Sequence, residues 1–249
     1  MESQINRLVE KTWAKFQEVP PSKRYLIAVS GIPGSGKTTL AAKITQRLIE
    51  KGHAETHGTS DIATFLPMDG YHLTRAQLSA MPDAKTAHAR RGAAFTFDAP
   101  RFLSLVKELR APICPETTTV YAPSFSHAKK DPMEDDIPIE KSARIVVMEG
   151  NYLSLGTGAK EWREAAELMD ELWFVEVEFD VARKRLIKRH VESGIAGDEE
   201  EAAKRADEND LVNGREIVEG RLEVHEVVRS EEDENWIVER QGIEKERDA

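Results

Sequence analysis

Cysteine, aromatic residues and long apolar runs are all scarce in this 249-residue sequence. It has one cysteine, Cys114, and aromatic residues make up only 6% of it. A single cysteine excludes an internal disulfide, so a packed core has to stabilise the fold, and a chain of this length that is 40% hydrophobic can bury one. No apolar run approaches the ~20 residues of a membrane-spanning helix.

Positive charge is also in deficit. The chain has 35 Lys and Arg against 45 Asp and Glu, a net charge of −10 at pH 7. Such a protein repels phosphate backbones, so we expect neither a nucleic-acid partner nor a membrane partner. The glutamate-bearing N-terminus predicts a surface helix within residues 1–22 rather than a targeting peptide, and therefore a cytoplasmic protein. A homodimer stays open.

A glycine-rich stretch, GIPGSGKT, lies between a β-rich run and a helical pattern. It fits the motif G-x-x-x-x-G-K-[ST], whose backbone N–H groups turn inward around phosphate oxygens. In such a loop Lys37 reaches the β- and γ-phosphates, and the Thr38 hydroxyl ligates Mg²⁺. The sequence therefore predicts a site for ATP with Mg²⁺. The residues expected there are Gly31, Ile32, Pro33, Gly34, Ser35, Gly36, Lys37, Thr38 and Thr39.

Apolar β-rich runs alternate with helical patterns along the chain. They cover residues 24–30, 62–68, 143–150 and 172–178, with a weaker candidate at 236–240. The helix after the glycine-rich loop is expected to stop at Gly52. This alternation predicts an α/β fold of the P-loop NTPase type, with a five-stranded, mainly parallel sheet flanked by helices.

Residues 73–138 interrupt the alternation. They contain a helical pattern for which Asp98 is the expected N-cap, followed by the β-rich stretch TTTVYAPSFSH. We interpret this segment as an insert that lies over the carboxyl edge of the sheet and binds the acceptor, within a single domain covering residues 1–249.

Two carboxylates follow predicted strands. Asp69 comes directly after the second strand, so it is expected at the same sheet edge as the glycine-rich loop, where it can accept the proton of an attacking hydroxyl. The alternative for Asp69 is a turn residue before Gly70. Glu149 ends the next strand and is expected either to hold Mg²⁺ or to orient the acceptor, the alternative being a surface glutamate at a strand end.

Nucleotide binding alone does not define the activity. The chain has neither the Asn-Lys-x-Asp motif that reads guanine nor the Leu-Ser-Gly-Gly-Gln motif of transport ATPases, which disfavours a switch or a motor. The rival to an enzyme is an ATP-binding regulatory or scaffold protein without kinase activity.

Six segments occur in the order GIPGSGKT, MDGYHL, FTFDAPRFL, VYAPSFSH, VVMEGNYL and RLIKRHVESG. Through them, residues 24–195 resemble the phosphoribulokinase/uridine kinase family of small-molecule kinases. The resemblance implies ATP-dependent phosphoryl transfer to a hydroxyl, with Asp69 as general base and Asp98 as an acceptor contact. It also implies that Tyr121 and His127 line the acceptor pocket. A nucleoside, a pantothenate-like acid and a sugar all stay open as acceptors.

The same resemblance implies a lid at residues 180–198, where Arg185 and Arg189 close on the phosphates and Arg183 is a neighbour. Late in the chain, Asn213 is expected to read an adenine edge, although a capped helix start would explain it nearly as well.

The segment HARRG precedes Phe95 and Phe97, a combination suited to gripping an anionic or hydroxyl-rich molecule against a flat ring. The alternative is a solvated basic loop. The residues predicted to bind the acceptor are Asp69, Tyr71, His72, Arg91, Phe97, Asp98, Tyr121, His127 and Glu149.

Overall fold

A parallel five-stranded sheet forms the centre of the molecule. The computed structural model describes residues 1–231. The strands are β1 Tyr25–Gly31, β2 Ala63–Pro67, β3 Val120–Ser126, β4 Asp131–Ile139, β5 Ile145–Glu149, β6 Glu171–Glu176 and β7 Glu226–Arg229. The sheet has the order β2-β5-β1-β6-β7, and every neighbouring pair in it is parallel. The predicted α/β fold is confirmed.

Strand β7 was not predicted, and it takes the fifth position in the sheet. Its four residues, EVVR, are partly exposed and carry a charge at each end, so they lack the apolar pattern of a buried strand. The weaker strand candidate at 236–240 lies outside the described residues.

Helices cover both faces of the sheet. Their bounds are α1 Glu2–Phe16, α2 Lys37–Thr56, α3 Arg75–Ser79, α4 Ala84–Ala89, α5 Ala99–Arg110, α6 Lys160–Glu167, α7 Phe179–Glu192, α8 Glu199–Arg205 and α9 Leu211–Gly220. Because side chains alternate along a strand, Leu26 and Ala28 pack into the core with α5 and α6, whereas Ile27 and Val29 pack with α1 and α2. No helix within residues 1–231 is both long and apolar enough to cross a membrane.

The prediction that α2 stops at Gly52 is wrong, because the helix continues to Thr56. A Cβ at Gly52 would lie 2.6 Å from Cγ2 of Ile62, the residue that leads into β2. The glycine is therefore explained by the close approach of helix and strand, not by helix termination.

The insert combines short helices, α5 and an antiparallel hairpin of β3 and β4. Asp98 is the N-cap of α5, as predicted, since its Oδ1 accepts from the Arg101 N–H at 3.0 Å. The hairpin lies against the 3₁₀ turn Met68–Tyr71 that follows β2, where a Cβ on Gly70 would lie only 2.0 Å from the Pro123 carbonyl oxygen. Glycine at this position therefore lets the hairpin sit on the carboxyl edge of the sheet.

Candidate active site

Three neighbouring strands end at one edge and carry the predicted chemistry to it. Glu149, the last residue of β5, pairs with Pro67 of β2 on one side and with Val29 of β1 on the other. The glycine-rich loop after β1 and the turn containing Asp69 after β2 therefore flank Glu149. This is the arrangement expected where parallel strands end side by side.

The glycine-rich loop has the backbone that phosphate binding requires. Gly34 and Gly36 have φ values of 81° and 87°, in the left-handed region that favours glycine. The Ser35 hydroxyl is buried and has no hydrogen-bond partner within residues 1–231, whereas Thr38 is exposed at the start of α2. A loop with a buried, unsatisfied hydroxyl beside a helix N-terminus fits a polyphosphate ligand.

Lys37 and Glu149 form a buried pair at the centre of this edge. Lys37 Nζ lies 3.9 Å from Glu149 Oε1 and donates to the Ile32 carbonyl oxygen at 3.3 Å. The Glu149 side chain is only 8% exposed, so the alternative of a surface glutamate is wrong. A carboxylate kept inside the fold beside a cation is positioned to act on a ligand or a metal.

Asp69 faces outward from the 3₁₀ turn, with half of its side chain exposed. The His72 ring lies beside it: Nδ1 is 2.8 Å from the Asp69 carbonyl oxygen and 3.9 Å from Oδ1. Because a carbonyl only accepts, Nδ1 carries the proton and Nε2 is left with a lone pair. Burial lowers the pKa of His72, so its ring is neutral at pH 7.

Aromatic rings continue from His72 towards the hairpin. The centroid of the His72 ring lies 4.0 Å from that of Phe97 and 4.9 Å from that of Phe125, and His127 stands edge-on to Phe125 at 5.4 Å. Phe125 was not singled out from the sequence, although it belongs to β3 and lies two residues before the predicted His127.

Two predicted acceptor residues differ sharply in their surroundings. Tyr71 is buried and packs edge-on against Phe102 of α5, with ring centroids 5.2 Å apart. Tyr121 is 54% exposed on β3. Their roles toward an acceptor stay predictions.

Arg91 connects the insert to the hairpin. Its Nη2 donates to the Leu73 carbonyl oxygen and to Asp131 Oδ1, each at 3.0 Å, and its guanidinium lies over the Phe125 ring. This part of HARRG is therefore packed and hydrogen-bonded, so the alternative of a solvated loop is wrong for Arg91. The same contacts place it beside the aromatic rings where an acceptor is expected.

Helix α7, which covers most of the predicted lid, packs directly against the glycine-rich loop. A Cβ on Gly34 would lie 2.9 Å from the Ala182 carbonyl oxygen. Arg185 Nη1 donates to the Gly34 carbonyl oxygen at 3.2 Å and to Ser230 Oγ at 2.8 Å. Arg189 follows one helical turn later. Arg183 points elsewhere and pairs with Asp207 at 2.7 Å.

Ser230 had no signal in the sequence, because it reaches the site only through the placement of β7. Asn213 is 1% exposed inside α9, and its Oδ1 accepts from Arg90 Nη2 at 2.7 Å. It does not begin a helix, so the alternative of a capped helix start is wrong. A contact between Asn213 and adenine stays a prediction.

No group of three or more His, Cys, Asp or Glu side chains suited to a metal ion occurs in the described part of the chain. Magnesium does not require one, since it takes one or two protein ligands and completes its shell with water and substrate phosphate. The Thr38 hydroxyl and the Glu149 carboxylate are oxygen donors of the kind that Mg²⁺ uses, so the donor set fits.

Residues 26–201 match the sequence profile of the phosphoribulokinase/uridine kinase family. The chain therefore belongs to this family of P-loop kinases, and the family implies the use of ATP.

Similar proteins agree with that assignment. The ATP-dependent kinase-like protein notR' of Aspergillus versicolor is 52% identical over 169 residues, which cover 68% of this chain and 95% of the relative. Schizosaccharomyces pombe C227.14, provisionally named a uridine kinase, is 42% identical over 191 residues and 77% of each chain. A crystal structure from Silicibacter sp. TM1040, provisionally described as a fructose transport system kinase, has 29% identity and a TM-score of 0.75 over 90% of this chain and 98% of its own.

Proposed function

We propose that this protein transfers the γ-phosphoryl group of ATP to a hydroxyl of a small metabolite. The observation that carries the proposal is the position of Asp69: a half-exposed carboxylate beside His72, at the edge of the sheet that holds the phosphate-binding loop. A regulatory ATP-binding protein has no need of such a group. Phosphoryl transfer depends on groups that position the reactants and stabilise charge on the phosphates. It also needs a group that receives the hydroxyl proton, and the Asp69 carboxylate is suited to that role.

The nucleotide side is assigned to the loop residues Gly31 to Thr39, with Lys37 on the β- and γ-phosphates. Thr38 and Glu149 are the side chains that would hold Mg²⁺, which when bound neutralises charge on the phosphate oxygens. Glu149 is already paired with Lys37, so both groups lie where the triphosphate is expected to end. Arg185 and Arg189 supply further positive charge from the lid helix as transfer proceeds.

The acceptor side is assigned to Asp69, His72 and the rings around them. The acceptor hydroxyl oxygen attacks the γ-phosphorus while Asp69 takes the hydroxyl proton, and the bond from the γ-phosphorus to the bridging oxygen breaks to release ADP. The neutral His72 offers the Nε2 lone pair to a second hydroxyl of the acceptor, because Nδ1–H is committed to the Asp69 carbonyl. Phe97 and Phe125 provide a flat apolar surface beside it.

These features suit an acceptor with several hydroxyls and an apolar or planar part. A nucleoside, a sugar and a pantothenate-like acid all meet that description. The names of the relatives from S. pombe and Silicibacter point to the first two. The cytoplasmic location stays a prediction from the glutamate-bearing N-terminus, and a homodimer stays open.

The test is a panel of these metabolites, scored for ADP release above the rate without acceptor, followed by Asp69→Asn. Asparagine keeps the size of the side chain but removes the base. We therefore expect ATP affinity to persist while transfer falls by roughly 10²–10⁴-fold, the usual contribution of a general base. Asp83→Asn, which changes an exposed helix cap in the same insert, is the matched control.

Absence of any stimulating acceptor in a broad panel, or transfer by Asp69→Asn at the wild-type rate, would contradict the proposal.

A further inference from the structure

Arg90 joins the insert to the helices that follow the lid. Its Nε donates to Asn209 Oδ1 at 3.0 Å, and its Nη2 donates to Asn213 Oδ1 at 2.7 Å. Asn209 returns a hydrogen bond through Nδ2 to the Arg91 carbonyl oxygen at 3.1 Å. Both asparagines are buried, 4% and 1% exposed, so this contact is an internal one.

Amide partners are unusual for a partly buried arginine, whose side chain here is 28% exposed. Amide oxygens orient the planar guanidinium through two hydrogen bonds but do not neutralise its charge, as a carboxylate would. Glu216 Oε1 lies 3.7 Å from Nη2, beyond hydrogen-bond distance, and its side chain is half exposed. Arg90 is therefore held in one orientation by two amide oxygens, and the Glu216 carboxylate makes a longer ion pair with it.

The segment that contains Asn209 and Asn213 contacts both the phosphate-binding loop and the lid helix. A Cβ on Gly214, the residue after Asn213, would lie 3.4 Å from Cβ of Ile32 in the phosphate-binding loop. Asp210, the residue after Asn209, lies 2.8 Å from Nε2 of the buried His190 on the lid helix. Residues 206–210 form a π-helical turn, a feature found frequently at functional sites.

The insert side of the contact is equally well connected. Arg91, the next residue, is hydrogen-bonded to Leu73 and to Asp131 at the start of β4. The carbonyl oxygen of Gly92 accepts from the Tyr152 hydroxyl at 2.6 Å, in the loop after β5. Three consecutive residues thus link the hairpin, the loop after Glu149 and the helices over the phosphate-binding loop.

We propose that Arg90 is a positioning residue that couples the nucleotide-binding loop to the acceptor-binding insert. When the loop and lid close on ATP, α9 and the π-helical turn move with them, and the two asparagines transmit that change to Arg90 and the insert. That the insert binds the acceptor rests on the proposed function. The coupling itself is measurable with nucleotide alone.

The test is amide hydrogen exchange with and without AMP-PNP and Mg²⁺, a non-hydrolysable stand-in for ATP. In the wild type we expect exchange in residues 73–98 to slow by roughly fivefold or more, the lower end of measured coupling between sites. Arg90→Gln should lose this slowing while the phosphate-binding loop stays protected. Arg90→Lys should keep part of it, since an ammonium keeps the charge but not the two-pronged geometry.

Arg101→Gln is the matched control, because Arg101 lies in the same insert but pairs with the exposed carboxylate of Glu134. It should retain the wild-type slowing. If Arg90 only stabilises the insert, its replacement should speed amide exchange there both with and without nucleotide. The ratio of the exchange rates without and with AMP-PNP would then equal that of the wild type. That result overturns the coupling. Should Arg90→Gln fail to fold, Arg90→Lys is compared with Arg101→Lys in the same way, and an undiminished ratio again overturns it.

Failure of the coupling and failure of the proposed function give different results. If AMP-PNP protects the phosphate-binding loop of the wild type but not its insert, the coupling alone is overturned. If the analogue protects neither, both are overturned.

Discussion

Lys37 links the phosphate-binding loop to Glu149, and its environment explains why the residue has to be a cation. Its Nζ lies within 4 Å of a buried carboxylate and donates to a loop carbonyl. A buried carboxylate without a partner carries a large desolvation cost, so Lys37 stabilises the edge of the sheet as well as attracting phosphate.

At the residue scale we predict that Lys37→Ala weakens ATP binding by roughly 10- to 100-fold, because a charge-assisted hydrogen bond contributes about 1.5–3 kcal/mol. Calorimetric titration with ATP and Mg²⁺ measures it. Lys51→Ala changes a lysine of the same helix that pairs with Glu10 at the surface, and it should bind ATP normally. Equal affinities of the two variants would rule out the role given to Lys37.

Asp98 combines two roles that a pair of variants separates. It caps α5, and family resemblance makes it an acceptor contact. Asp98→Ala should lower the free energy of unfolding by about 1 kcal/mol, whereas Asp98→Asn should leave it nearly unchanged, because asparagine caps as well as aspartate.

Urea unfolding of both variants checks this. If Asp98→Asn retains stability but raises KM for the acceptor, the carboxylate charge acts in binding. If both variants unfold like the wild type, the cap contributes nothing measurable.

Helix α7 shows how one element serves both packing and charge. Its Ala182 packs under Gly34, and Arg185 extends from the next turn to the Gly34 carbonyl oxygen. Arg183, on a different side, makes an exposed ion pair with Asp207. The helix therefore places arginines of similar chemistry in two different environments, which provides an internal control.

At the element scale we predict that replacing both Arg185 and Arg189 by alanine lowers kcat by roughly 10²-fold or more, since groups that stabilise the transition state cost this much when removed. ATP affinity should change far less, because a lid acts mainly in the reacting complex. Arg183→Ala should keep a normal kcat. Turnover of the double variant within a few-fold of wild type would overturn the lid role given to these arginines.

The two ends of the described chain meet beside the sheet. Arg7 and Lys11 of α1 bind Glu226 of β7, and Lys11 also reaches the buried Glu171 of β6. Hydrogen bonds from Arg7, opposed by burial and reinforced by Lys11, lower the pKa of Glu226 to about 2. The outermost strand is therefore held in place partly by ion pairs with the N-terminal helix.

For the whole molecule this predicts a pH dependence of stability. The pKa of Glu226 is lower in the folded state than the ordinary value of 4.5, so its contribution is complete above pH 4.5 and is lost as pH falls towards about 2. We compare the free energy of unfolding of the wild type with that of Glu226→Gln from pH 7 downward. The difference between the two free energies should narrow below pH 4.5. A difference that is constant with pH would contradict the assignment.

The contiguous parts of the site were predictable from the sequence. The phosphate-binding loop carries its glycines, lysine and threonine within eight residues, so its geometry and chemistry are encoded locally. Apolar strands such as 24–30 and 143–150 were predictable for the same reason, and with them the common edge shared by Asp69 and Glu149. The Asp98 cap also needed only its immediate neighbours.

Other features depend on residues far apart in the chain. Strand β7 is too short and too exposed to show a pattern, and it becomes a strand because β6 offers it an open edge. Glycine at position 52 reads as a stop in the sequence, but its reason is the approach of Ile62. The sequence also could not tell that Arg90 binds Asn209 and Asn213, because those residues lie more than 100 positions later. Local motifs determined the chemistry of this protein, and long-range packing decided which side chains meet around it.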